Sequence, residues 1–191
     1  SFATSCTSSA QAIGYAYKML KSGMYEKALV IGFEMFNCLT FEHFQAMNLL
    51  SQEAQYSPLT NPTGIVLGEG IGCVALSTQP NPQLPCEIVG VTTLTDNDNL
   101  TNSSESALRN LINACLNNAN FTPADIDGVK VHGVGGNSDE MELRVLQEIF
   151  PHAQWLSIKT QTGHTLGASG ALESAILFNQ LKSEPQKCGR F

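Results

Sequence analysis

Three widely separated residues in this chain could together carry acyl transfer through a thioester. Cys6 lies in Ala3-Thr4-Ser5-Cys6-Thr7-Ser8-Ser9-Ala10, a run of small residues that opens a helical pattern. His132 lies in Val131-His132-Gly133-Val134-Gly135-Gly136, and His164 in Gly163-His164-Thr165-Leu166-Gly167. A thiol is a poor nucleophile until it loses its proton. A helix N-terminus promotes that loss, because its free N–H groups favour negative charge. The small neighbours of Cys6 would let an acyl chain approach. His132 follows a strand pattern and adjoins flexible backbone, so it can reach into a cleft. His164 opens a Gly- and Ala-rich helix. That position disfavours a protonated imidazole and suits a neutral ring that donates an N–H. Lys159 lies five residues before His164, and Asp139 and Glu142 lie seven and ten after His132. A Lys and a Glu buried beside two histidines could form a polar network that fixes their tautomers.

Each of these residues also has a plainer reading. Free cysteines are often simply buried. His132 could be a hydrogen-bonded histidine at a strand exit. Gly167, Gly170 and Ala171 could be small because another helix packs close, which is compatible with His164 standing at the exposed end of that helix. Asp139, and less readily Glu142, could be ordinary surface charge on a helix.

The elements that must position these residues follow from periodicity. Residues 5–22 read as a helix, with Ala10, Ile13, Tyr17 and Leu20 at helical spacing and Ser22-Gly23 as its end. Residues 28–33 form an apolar run of strand length. Residues 41–50 suggest a short helix and 51–63 a loop. Ile65-Val66-Leu67 and Cys73-Val74-Ala75-Leu76 read as strand pieces around Gly68-Glu69-Gly70-Ile71-Gly72. Gln79-Pro80-Asn81-Pro82-Gln83 is the best internal boundary. Beyond it, residues 86–94 read as a strand and 103–118 as an amphipathic helix, followed by a short turn capped by Thr122. A strand at 129–131, a helix at 139–150, a strand at 155–158 and a helix at 165–183 complete the chain. Strands alternating with helices argue for a mainly parallel sheet covered on both faces.

Composition narrows the function classes. The chain has 191 residues, 42% of them hydrophobic and 14% charged, with a net charge of −7. That length fits one domain or a large piece of a bigger one. No run of Lys or Arg is present, which argues against a nucleic-acid or anionic-membrane surface. No apolar stretch reaches the about 18 residues of a membrane span, and no signal peptide is apparent. The six cysteines show neither CxxC nor zinc-finger spacing. This reads as a reduced, cytoplasmic protein without a structural metal. Both ends read as cut from something longer.

Taken together, these motifs resemble the β-ketoacyl–acyl-carrier-protein synthases of the thiolase-like superfamily. The Cys6 segment is similar to their nucleophile helix. Gly64-Ile65-Val66-Leu67-Gly68-Glu69-Gly70-Ile71-Gly72 is similar to their GFVLGEGAG segment. His132-Gly133-Val134-Gly135-Gly136 with Asp139 and Glu142 resembles HGTGT…ND-x-x-E. Ser157 through Glu173 resembles SxKxxxGHTxGAAGALE.

The resemblance implies an α/β, thiolase-like layered α-β-α-β-α architecture, here incomplete, with mixed sheets covered by helices. Residues 1–78 would be the remainder of an N-terminal half, and 84–191 a C-terminal half lacking its last strands. Cys6 would accept the acyl group, His132 and His164 would assist decarboxylation of malonyl-carrier protein, and Lys159 and Glu142 would pair beside them, with Asp139 in support. No cofactor is implied; the substrate would ride on the phosphopantetheine arm of acyl carrier protein. Acyl carrier protein is the implied partner, together with a homodimer or ketosynthase heterodimer.

Several features depart from the family pattern. Val134 and Gly136 replace the two threonines of HGTGT, which help hold the phosphopantetheine arm, and the loop that follows is one residue shorter. Ser57–Thr63 lacks the usual Phe-Asp and Arg. The chain stops before the GFGG loop and lacks most of the half before Cys6. The isolated chain is therefore expected to be inactive. Two alternatives compete with a condensing enzyme. One is a non-catalytic partner like the chain-length factors, which usually lose the cysteine. The other is a thiolase, for which Cys188 lacks the Gly-rich context of a second catalytic cysteine.

Overall fold

The computed structural model describes residues 1–81, 86–97, 103–183 and 189–191. It divides into two compact units, each built from discontinuous stretches of chain. The first comprises Ser1–Phe36, Gly68–Val89 and His164–Cys188, and the second Asn37–Leu67, Gly90–Gly163 and Gly189–Phe191.

In the first unit, a 3-10 turn at Ser5–Thr7 leads into helix α1 (Ser8–Lys21). Strand β1 (Lys27–Glu34) pairs antiparallel with β2 (Gly70–Ser77), in a register that sets Gly32 opposite Gly72. Helix α6 (Ser169–Ser183) follows a second 3-10 turn at Leu166–Ala168. Ile13, Ala16 and Val30 form the buried core, with Val74, Leu76 and Ile88 packed against it.

Close approach of the backbones sets the geometry of this unit. A Cβ on Gly170 of α6 would lie 2.3 Å from the Ala10 nitrogen of α1. Ser9 is buried and its Oγ accepts the Ala171 N–H at 3.0 Å. The small residues at the start of α6 are thus explained by helix packing, as the sequence suggested.

Two expectations change in this unit. The β1–β2 pair is antiparallel, where the alternation of strands and helices argued for a mainly parallel sheet. The alternation of β1 covers only one face: Val30 is buried, whereas Leu29, Ile31 and Phe33 are 63%, 56% and 69% exposed, and Ile71 of β2 is exposed beside them. The expected strand at 86–94 forms no ladder among the described residues. Side-chain contacts hold it instead: Ile88 packs against the core, and Tyr17 donates to the Val89 carbonyl at 3.1 Å.

The second unit contains α2 (Cys38–Ala46), α3 (Glu105–Ala119), β3 (Gly128–Lys130), α4 (Asp139–Ile149), β4 (Gln154–Leu156) and the short α5 (Lys159–Thr162). Here β3 and β4 pair in parallel, as expected of strands joined through a helix. Leu116, Val131, Leu146 and Phe150 form its core, with Ile112, Phe121 and Trp155 against them.

Helix ends in this unit follow local capping chemistry. Ser104 accepts the Ala107 N–H at 3.2 Å to start α3, and Asn120 ends it in the left-handed region at φ 55°. Helix α2 begins three residues before the expected start. Asn37 caps it by accepting the Thr40 N–H at 3.1 Å, and Asn48 at φ 55° follows its end. The expected strand at 65–67 shrinks to isolated bridge positions at Ile65 and Leu67, with Ile65 paired to Leu50. Part of the boundary at 79–83, and Cys188, lie outside the described residues.

The α1–α6 contact yields a direct test. The substitution Gly170→Ala forces the helices apart and is expected to cost about 1–3 kcal/mol by overpacking. Thermal denaturation should show a lower Tm. An unchanged Tm would mean that the close approach is not required.

Candidate functional site

The six candidate residues fall into two groups, one in each unit. Cys6 and His164 belong to the first. Cys6 sits in the middle of the Ser5–Thr7 turn, which leads directly into α1. Ser5 adopts φ 53°, the left-handed region that a residue with a Cβ enters only at a cost. Local hydrogen bonds hold that turn. Ser8 Oγ donates to the Ser5 carbonyl at 2.7 Å and accepts the Thr4 N–H at 2.8 Å, and Thr7 Oγ1 donates to the Thr4 carbonyl at 2.8 Å.

His164 is 2% exposed, and its Nε2 lies 3.0 Å from Cys6 Sγ. The turn that follows is also wound tightly, with Leu166 at φ 40°. Its backbone is tied to the sheet, because Gly167 donates its N–H to Glu34 at 3.1 Å. Two strained turns, each fastened from behind, therefore bring a thiol and an imidazole into hydrogen-bond contact across 158 residues of sequence. Glu34 has no helical or strand periodicity to mark it as functional; its only signal is a carboxylate at the end of an apolar strand.

His132, Asp139, Glu142 and Lys159 belong to the second unit. The chain leaves β3 through Val131 and enters the His132–Gly136 turn. Gly135 has φ 83°, and a Cβ there would lie 2.2 Å from the Gly64 carbonyl oxygen, so only glycine fits. The first turn of α4 fastens this segment with two carboxylates. Glu142 accepts the N–H groups of His132 and Gly133 at 2.6 and 2.9 Å. Asp139 accepts those of Val134 and Gly135 at 3.1 and 2.8 Å. Tyr56 holds the other side, donating to the Val134 carbonyl at 2.9 Å.

Asp139 is 1% exposed, so it is not the surface charge that its place on a helix suggested. Carboxylates three residues apart share one helix face, and that spacing was the available signal. Lys159, at the start of α5, is likewise 1% exposed.

Electrostatics link these residues. Burial pushes the Asp139 carboxyl above its ordinary range, while the N–H groups it accepts and the Lys159 ammonium pull it back. Burial, with the Lys159 and Lys130 ammoniums, holds the His132 imidazole down at about 3. His132 keeps solvent-open surface, but enough protein surrounds the ring to exclude the charged form. A neutral imidazole retains one N–H and can donate a hydrogen bond to developing negative charge.

The sign of the resulting pH effect follows from proton uptake. The unfolded chain protonates His132 as pH falls through 6.5, whereas the folded chain does so only near about 3. Stability attached to this group is therefore complete above 6.5 and declines as pH drops toward 3. An NMR titration of the native protein should show the His132 ring unchanged through 6.5. A midpoint near 6.5 would contradict the arrangement.

Comparison with known proteins places these features in context. Residues 1–81 match the family model "Beta-ketoacyl synthase, N-terminal domain", and residues 85–185 match "Beta-ketoacyl synthase, C-terminal domain". Among curated proteins, the 3-oxoacyl-[acyl-carrier-protein] synthase 2 of Coxiella burnetii is 29% identical over 92% of this chain and 47% of its own length. Nodulation protein E of Rhizobium sp. (strain N33) is 28% identical over 89% and 45%. The chain thus spans about half the length of the curated relatives it matches. A solved ketosynthase, in complex with its chain length factor from Xenorhabdus doucetiae, superposes with a TM-score of 0.86 at 28% identity. It covers 95% of this chain and 46% of that one, so the α/β fold is the thiolase-like fold of the ketosynthases.

Proposed function

The chain belongs to the beta-ketoacyl synthase family, and from that premise we propose that it carries the reacting residues of a 3-oxoacyl-[acyl-carrier-protein] synthase. The observation that carries this reading is the 3.0 Å contact between Cys6 Sγ and His164 Nε2. A thiolate at a helix start, with an imidazole in hydrogen-bond reach, is the arrangement that covalent acyl transfer needs.

The proposed reaction has two stages. The Cys6 thiolate attacks the carbonyl of an acyl thioester carried on the phosphopantetheine arm of acyl carrier protein. The arm's sulfur leaves, and the acyl group remains on Cys6. A malonyl-carrier protein then loses its carboxylate as carbon dioxide, and the electron pair of the broken C–C bond forms an enolate. His132 and His164 donate hydrogen bonds to the enolate oxygen. The enolate carbon attacks the Cys6 thioester, the thiolate departs, and a 3-oxoacyl chain remains on the carrier. Burial, aided by the Lys159 charge, keeps His132 neutral, while Glu142 and Asp139 hold the backbone that presents His132. No bound cofactor enters this scheme.

The same reading takes residues 1–78 and 84–191 as parts of the two family halves. It places the protein in the cytoplasm, with acyl carrier protein as its partner and a homodimer or ketosynthase heterodimer as its assembly. Among the described residues, no helix is long and apolar enough to cross a membrane.

A second reading, a partner subunit resembling a chain-length factor, has one feature in its favour. Val134 and Gly136 stand where the family pattern carries two threonines, and Val134 is buried with its N–H and carbonyl both engaged. Such a turn offers no hydroxyl to the carrier arm.

One experiment separates the two readings. Radiolabelled acyl-carrier protein is incubated with the full-length protein and with its Cys6→Ala variant. Label that stays with the full-length protein through denaturation and is absent from the variant supports the synthase. Label on neither form would favour the partner subunit.

A further inference from the structure

His164 has a buried neighbour on its far side. Its Nε2 faces Cys6 Sγ at 3.0 Å, and its Nδ1 lies 3.3 Å from Ser169 Oγ. Ser169 Oγ in turn lies 3.2 Å from Thr165 Oγ1. Thr165 and Ser169 are 0% and 5% exposed, so water does not compete freely for these hydroxyls. The family pattern GHTxGAAG places alanine where this chain has Ser169, so the hydroxyl is a feature of this chain and not of the pattern.

We infer that Ser169 is a positioning residue that fixes the tautomer of His164. The inference rests on the reading of Cys6 as a thiolate nucleophile, and the protons then follow in order. A thiolate has no proton to give, so the contact at Nε2 requires a proton on that nitrogen. A neutral imidazole carries one proton, which leaves Nδ1 as a bare acceptor. The Ser169 hydroxyl donates to Nδ1, and the Thr165 hydroxyl donates to Ser169 Oγ. Each hydroxyl then gives one hydrogen bond, and all three contacts point their protons toward the sulfur. Reversing the chain would place the proton on Nδ1 and leave Nε2 as an acceptor facing a thiolate, two acceptors in contact. Ser169 opens α6, and the positive end of a helix further disfavours a second proton on the ring.

The tautomer can be read without any turnover. Long-range ¹⁵N–¹H correlation of the histidine rings is recorded on the full-length protein and on its Ser169→Ala variant. The ring signals that disappear in a His164→Gln variant are those of His164. His164 is expected to be in the Nε2–H form in the parent. In Ser169→Ala the ratio of Nε2–H to Nδ1–H should fall about fivefold, the size that one neutral hydrogen bond sets. The rings of His43, His132 and His152 should not move. An unchanged His164 ratio, an Nδ1–H form in the parent, or a shift shared by all the histidines would overturn the inference. Acyl loading of Cys6 is measured on the same samples. A tautomer shift without loading would sink the synthase reading alone, and loading without a tautomer shift would sink the role of Ser169 alone.

Discussion

The contact between α1 and α6 is the constraint on which the rest of the first unit depends. Two helices can meet backbone to backbone only where side chains are nearly absent. Gly170 against Ala10 meets that need. Ser9 then does two things at once. Its small side chain lies under Gly32 of β1, and its hydroxyl satisfies the Ala171 N–H near the start of α6, where no intrahelical partner exists. Because both helices start at this contact, both helix starts are fixed relative to each other. Cys6 precedes one of them and His164 the other. Helix packing therefore brings sulfur and ring within 3.0 Å of each other.

The second unit solves the same problem with charge. A glycine-rich turn has little intrinsic preference for one conformation. Here four successive backbone N–H groups, from His132 to Gly135, are taken up by two carboxylates of one helix turn. Negative charge on the first turn of α4 is favoured by the helix dipole. Burial holds His132 neutral, and the buried Lys159 ammonium adds to that effect while favouring the charged form of Asp139. One cation thus acts both on the support of the turn and, together with burial, on the residue the turn presents.

The sequence made much of this legible. Cys6 at a helix start, His132 at a strand exit and His164 at the head of a small-residue helix all stand where periodicity and glycine placement put them. What stayed hidden depended on contacts made at a distance or on single caps. The three-residue spacing of Asp139 and Glu142 marks a shared helix face but not burial, because the partners of Asp139 are backbone groups of a neighbouring turn. The start of α2 was set by one Asn37 side chain, which outweighed the apolar pattern around Phe41 and Phe44. Apolar runs do not encode strand direction, and β2 runs antiparallel to β1. Ser169 was hidden inside a stripe of small residues whose packing role is real. Its hydroxyl gained meaning only when the His164 ring was found against it.

The central proposal is that Cys6 is the nucleophile and that His164, which faces it, activates it. The most direct measurement is the rate of iodoacetamide alkylation at each cysteine of the full-length protein at neutral pH, followed by peptide mass spectrometry. The account predicts that Cys6 reacts faster than the exposed Cys38, Cys73 and Cys86, and that His164→Ala slows it tenfold or more, as loss of a hydrogen bond to a charged group should. A Cys6 rate no faster than theirs, and unchanged in the variant, would contradict it.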